Sequence, residues 1–335
     1  MKIYFTFLFF FLSYNLFSQI ALPTFHGALK VSNQIQFQGT SATFTNCSKT
    51  GKDGPSQGDC NTAYSGTNLE NFVTLNNGIQ EWIVPQTRTY VIEVWGAKGG
   101  YNGGCQRMNN NACWGKNGAR MKGEFNLTQG EIIRIAVGQM GVTHISASRG
   151  GGGGGGGTFV AKGNNHASAT PLIIAGGGGA GHYYAGSTPI PGQITETGLG
   201  VNCSVNDPNA IGNECSNGSN HYSGAGGSWT SDGANGGYYN SKGGKGWPNF
   251  LAGGTHSTSG HSGWSHGDGG FGGGGGGEWN GGNGGGYNLG GGPQVKTGGN
   301  ETSGGAGGGS YNSGANQDNE IGGGEDSHGK VVISW

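Results

Sequence analysis

Eight consecutive glycines at 150–157 divide this chain, and from there to the end about one residue in three is glycine. No ordinary side-chain core can be built from such a stretch. It is either a flexible linker or a region that packs backbone against backbone. Disordered linkers are poor in aromatic residues. This stretch carries Trp229, Tyr238, Tyr239, Trp247, Phe250, Trp264, Phe271, Trp279, Tyr287 and Tyr311. Collagen is excluded, because there is no strict Gly-x-y period and little proline. The ordered option that remains is a bundle of polyglycine-II-like helices. These resemble polyproline II, with three residues per turn and no internal hydrogen bonds. Ordering a glycine costs roughly 0.5–1 kcal/mol more than ordering an alanine. Only near-complete pairing of backbone N–H and C=O groups between segments offsets that. The aromatic residues are then expected at the edge of the bundle, sealing it against the rest of the protein.

Before the glycine run the chain reads as strands and turns. Short β-prone runs occur at 41–45 and 71–75. At 79–84 Ile79, Glu81 and Ile83 share one face, and Gln80, Trp82 and Val84 the other. Residues 88–95 alternate likewise, and 119–127 with 131–137 suggest a hairpin around Thr128-Gln129-Gly130. The apolar runs 158–162 and 171–175 read as buried strands. The last residues, 330–335, alternate again. A chain that ends in a strand needs a sheet to join, and the nearest complete sheet lies before Gly176. The expected architecture is therefore all-β: a sandwich from 41–175 plus 330–335, interrupted by a glycine-rich insertion at 176–329.

The first residues read as a secretion signal. Lys2 is followed by an apolar run at 3–12, with cleavage expected after Ser18 and an N-terminal segment at 19–40. No segment of the mature chain is apolar enough to span a membrane. Export to a secreted or cell-surface location fits the six cysteines, which fall in three close pairs: Cys47 and Cys60, Cys105 and Cys113, Cys203 and Cys215. Six cysteines permit about fifteen pairings; neighbour pairing is favoured because each pair brackets a short polar loop. Zinc is disfavoured, since no Cys-x2-Cys spacing occurs. The net charge is −1 and charged residues are 10% of the chain, so no basic stripe points to nucleic acid.

Several blocks together carry a resemblance. FTNCSKTGKDGPSQGDCNTAYSGTNL, then NNGIQEWIVPQTRTYVIEVWGAKGG, IIRIAVGQMG, GGGGGGGTFV and PLIIAGGGGAG occur in that order between Phe44 and Gly181. They resemble the glycine-rich extracellular domain of the anaplastic lymphoma kinase and leukocyte tyrosine kinase receptors, as a free-standing secreted copy without the kinase. The resemblance extends over roughly 44–335. It implies a tumour-necrosis-factor-like β-sandwich, a jelly roll, with a polyglycine-helix insertion, and a disulfide between Cys47 and Cys60. It also implies binding of a protein ligand and dimerisation.

No catalytic, cofactor or metal constellation stands out. Gly-x-Gly-x-x-Gly matches are trivial in polyglycine, and Gly243-Gly244-Lys245-Gly246 lacks the spacing and hydroxyl of a phosphate loop. His256, His261 and His266 recur every five residues, which fits neither a helix nor a strand face, so solvated loop histidines are expected. Asp232, Asp268 and Asp326 sit in glycine-rich turns and suggest turn chemistry. Asn46, Asn126, Asn202, Asn217 and Asn300 head Asn-x-Ser/Thr sequons. The expected function is a non-enzymatic recognition or adhesion module for an extracellular protein or glycan, with Trp229, Trp247, Trp264 and Trp279 as contact residues or as packing at the bundle edge. The alternative is a matrix or surface component, a homo-oligomer that self-associates through polyglycine faces.

Overall fold

The computed structural model describes residues 37, 39–101, 113–143, 150–182, 188–198, 223–236, 240–257, 266–288 and 304–335. The expected signal peptide at 1–18, the segment at 19–36, Cys105, Cys203, Cys215, Trp264, His261, Asn202, Asn217 and Asn300 lie outside them. Ten strands alternate with turns: β1 (Ser41–Phe44), β2 (Val73–Asn76), β3 (Ile79–Ile83), β4 (Arg88–Trp95), β5 (Arg120–Leu127), β6 (Ile132–Ala136), β7 (Thr158–Lys162), β8 (Thr170–Ala175), β9 (Tyr311–Asn312) and β10 (Lys330–Ser334). Among the described residues one short α-helix, α1 (Gln57–Ala63), precedes β2.

The strands form two antiparallel sheets. Four strands run in the order β1-β10-β4-β5, and six in the order β2-β3-β6-β7-β8-β9. The C-terminal β10 takes an inner place, with Val331 opposite Val94 on one side and Phe44 on the other. Alternation sets which side chains point inward. Tyr90, Ile92 and Val94 of β4 meet Trp82, Ile133, Ile135, Val160 and Ile173 of the other sheet in one buried cluster. Between β2 and β3, Asn77 and Gly78 form a two-residue loop with φ of 49° and 83°, the left-handed pair that matches strand twist.

The turn at 128–130 is not a hairpin, contrary to the sequence expectation. β5 pairs with β4, whereas β6 pairs with β3 and β7, so the chain crosses there from one sheet to the other. The link between β3 and β4 crosses beside it. Val84 N–H donates to Glu131 O at 2.9 Å and Gly130 N–H to Val84 O at 2.9 Å. These paired bonds bind two corners together in place of a hairpin ladder.

The six-stranded sheet is covered on its outer face as well. Ile79, Ala136, Phe159, Ala161 and Ile174 pack there against Trp247, Leu251 and Phe271 from the glycine-rich region. That explains why β6, β7 and β8 are near-continuous apolar runs and not alternating ones. The covering layer is built by backbone pairing with a period of three. Gly151, Gly154 and Gly157 donate to Glu278, Gly275 and Gly272; Gly152 and Gly155 donate to Gly181 and Gly178; Gly153 and Gly156 donate to Val142 and Gln139. One segment thus has three antiparallel neighbours, and each successive residue turns to the next. A side chain has no room there: a Cβ on Gly156 would run into the carbonyl of Phe271.

Two features cut across the boundary expected at Gly176. The paired layer also takes in residues 96–100, 115–118, 138–142 and 151–157. Conversely β9, inside the expected insertion, joins the six-stranded sheet at β8.

Candidate functional site

The most developed surface feature is a seam where the glycine-paired layer meets the loop between β7 and β8. Gly246 and Pro248 start and shape a 3-10 turn, Trp247–Asn249. Two bulky residues follow in the left-handed region, Phe250 at φ 61° and Leu251 at φ 60°, a conformation side chains adopt only when the surroundings impose it. Here the surroundings are visible. Leu251 N–H donates to Gly246 O at 3.1 Å, and the Leu251 carbonyl accepts from both Gly272 and Gly273 at 2.9 Å. The double reversal sends Leu251 into the core and Phe250 back across the seam.

Four rings stack in series as a result. Trp229 lies on Trp247 at 4.6 Å, Trp247 on His166 at 4.6 Å, and His166 on Phe250 at 4.4 Å. Two reciprocal bonds fix the centre: the Trp247 indole donates to His166 O at 3.1 Å, and His166 Nε2 donates to Trp247 O at 2.7 Å. Burial pushes the His166 imidazole below its usual value, against the bond to Trp247. Beneath it, Arg134 donates to Gly163 O and Asn164 O at 3.0 and 2.9 Å and pairs with Glu81.

The four tryptophans expected to share a role part company. Trp247 is 3% exposed and offers no face to a partner. It packs on Phe159, so its role is to dock the layer on the sheet. Trp229 and Trp279 are half-buried, and Trp264 lies outside the described residues. Sequence reasoning gave no role to His166. Its loop, Asn164-Asn165-His166-Ala167-Ser168, carries no periodic signal, and only the reach of Trp247 across 81 positions reveals it.

Of the histidines expected to be solvated, His256 and His266 are otherwise placed, and His261 lies outside the described residues. His256 Nδ1 pairs with Asp268 Oδ1 at 2.6 Å, and the same oxygen accepts His256 N–H at 2.8 Å. The Asp268 bond raises the imidazole above its usual value. Burial favours a higher Asp268 pKa, but the His256 bonds outweigh it and hold the carboxyl low. His266 is buried. Asp232 does the turn chemistry expected: it accepts from Lys245, Gly246 N–H and Asn249 at 2.7, 2.8 and 2.9 Å. Asp326 pairs with Lys98. Among the described residues no group of three or more His, Cys, Asp or Glu converges to hold a metal ion, and no helix is long and apolar enough to cross a membrane.

Cys47 and Cys60 form a disulfide. Cys113 is buried, and Cys105, its expected partner, lies outside the described residues.

Fold and seam together define an all-β protein with a disulfide and a backbone-paired glycine layer. No protein-family model matches the chain. The leukocyte tyrosine kinase receptor of Mus musculus is 36% identical to it over 103 residues, 29% of this chain. Those residues are 11% of the receptor, so the chain spans a small part of that relative's length. The likeness is partial, and it falls within the receptor family that the sequence blocks resemble.

Proposed function

We propose that this chain is a secreted, non-enzymatic recognition or adhesion module that binds an extracellular protein or glycan. The observation that carries the reading is the partial likeness to the leukocyte tyrosine kinase receptor, taken with the Cys47–Cys60 disulfide. On this reading the matched part corresponds to the receptor's extracellular region, and the sandwich is a tumour-necrosis-factor-like jelly roll. The layer is a bundle of polyglycine-II-like helices, a reading supported by its pairing at every third residue. Its use is rigidity: aromatic rings on a stiff scaffold present contact area at small entropic cost. The contact residues proposed are Trp229, Phe250 and Trp279, with Trp264 as a further candidate, and Trp247 supports Trp229 by stacking directly on it.

The test is capture with the oxidised chain as bait against extracellular proteins and surface glycans, with the reduced chain as control. One saturable partner, lost on reduction and weakened by Trp229→Ala without a change in melting, is the expected result. A bait that retains only itself would replace this reading with a self-assembling structural role.

A further inference from the structure

The two long sides of the sandwich are closed differently. On one side the chain closes them by backbone: β9 pairs with β8, and the residues after it pair with β5 through Glu124 with Ala315 and Arg120 with Glu320. On the other side, β1 and β2 are edge strands, and side chains from residues 57–68 cover them. Asn68 Nδ2 donates to Ser41 O at 2.5 Å, and Thr45 N–H donates to the Tyr64 hydroxyl at 3.0 Å.

The cover on β2 is the most specific. Gln57 Nε2 donates to Val73 O at 3.0 Å, and Gln57 Oε1 accepts from Leu75 N–H at 2.9 Å. Thr74 and Asn76 turn their backbone groups toward β3; Val73 and Leu75 turn theirs outward. The Gln57 amide therefore makes the two bonds that the backbone of an added strand would make. Asn61 steadies it, accepting from Nε2 at 2.8 Å. The Cys60–Cys47 bond and the Ser56–Asp59 capping box fix α1 beneath it. β2 itself reads Val-Thr-Leu-Asn, with none of the lysine, proline or bulge that ordinarily blunts an edge.

We propose that the β2 edge is a strand-addition surface held shut by Gln57, and that its occupant when open is β2 of a second copy. Thr74 then lies opposite Thr74 of the partner subunit. Each Leu75 N–H reaches the Val73 carbonyl across a twofold axis, which uses the same two groups that Gln57 occupies. An antiparallel pair of identical strands is self-complementary. The strand is uncharged, and Glu81, opposite Thr74 on β3, pairs with Arg134. Facing threonines are a favourable cross-strand pair.

The test uses the full oxidised chain. Gln57→Ala is expected to lower the dimer dissociation constant by about tenfold or more, read by sedimentation over a concentration series. Gln57→Glu keeps the Leu75 bond and loses the one to Val73, and is expected to fall between. Adding Leu75→Pro to Gln57→Ala removes the outward donor and is expected to restore the parent behaviour. Intact disulfide mass and unchanged circular dichroism establish that each variant is folded. Should Gln57→Ala prove unstable, a peptide of residues 71–77 at the parent protein gives the second readout: it is expected to bind more weakly to the parent than to Gln57→Glu. The proposal is overturned by a folded Gln57→Ala that associates no more than the parent. It is overturned equally by a dimer that survives Leu75→Pro, or by an opened edge that takes unrelated extended peptides and not its own copy.

Discussion

The two sheets and the glycine-paired layer satisfy their backbones by opposite geometries. In the sheets each strand pairs within one plane, and side chains such as Phe44, Trp82 and Tyr90 fill the space between planes. In the layer, segment 151–157 pairs in three directions, and the space between segments is too narrow for a methyl group. A side-chain core adjusts, because rotamers shift and neighbours relax. A backbone core has nothing that can relax without breaking a hydrogen bond. The layer should therefore be the less forgiving half, although it looks the simpler in sequence.

The largest effect follows from that contrast. Gly156→Ala places a Cβ against the Phe271 carbonyl, and Gly178→Ala places one against the Lys116 carbonyl. Each is expected to cost about 4 kcal/mol or more, because backbone must move. Ile92→Val, at a fully buried site in β4, is expected to cost about 1 kcal/mol. Urea unfolding of the three variants reads the difference. A Gly156→Ala variant as stable as Ile92→Val would mean that the layer is loose and the contrast unfounded.

Trp247→Ala comes next and probes the join between the halves. It removes the ring that lies between Phe159, His166 and Trp229, at an expected cost of about 3–4 kcal/mol. Limited proteolysis should then cut first within 240–257 while the sheets stay protected. Simultaneous loss of both halves would show that they fold as one cooperative unit.

Acid should separate the halves further. Burial drives the His182 imidazole from its usual 6.5 down to about 4, and burial also lowers His166 and His328. Groups with depressed folded values leave stability intact above pH 6.5 and withdraw it as pH falls toward the folded value. For His182 the window from 6.5 to 4 amounts to about 3 kcal/mol. His256 has the opposite sign: its raised value stabilises below pH 6.5 and is lost as pH rises through the folded value. Chemical unfolding at pH 7.5 and 4.5 is expected to show a net loss in acid, and His182→Gln should remove most of that slope.

The sheets were legible in the sequence because their signals are local. Period-two alternation located β3, β4 and β10 within a residue or two, and apolar runs marked β7 and β8. The crossing at 128–130 was not legible, since Thr-Gln-Gly suits a hairpin and a corner alike, and the choice rests on bonds to Val84 and Thr87. Nor was α1, whose Gln-Gly-Asp-Cys run has poor helix propensity and forms under a capping box and a disulfide. In the layer Trp247 and Phe271 pack on the six-stranded sheet. Which tryptophan packs and which stays half-exposed depends on partners far off in sequence, such as His166 for Trp247, and glycine itself carries no pattern that reveals register.

The smallest effect tests whether side-chain charge matters to a layer made of backbone. Asp232 caps the 3-10 turn through Gly246 N–H and Asn249, and it pairs with Lys245. Burial favours a higher Asp232 pKa, but the Lys245 and Asn249 bonds prevail and lower it. Its contribution is therefore present above the usual carboxylate range and fades as pH falls through the folded value. Asp232→Ala leaves a backbone N–H without its acceptor and is expected to cost about 1–2 kcal/mol. Lys245→Ala removes only a half-exposed charge and is expected to cost about 0.5 kcal/mol or less. The two are distinguished by thermal unfolding at low and high salt. Equal losses that vanish together in salt would mean that charge, and not backbone capping, holds the turn that carries Trp247 and Phe250.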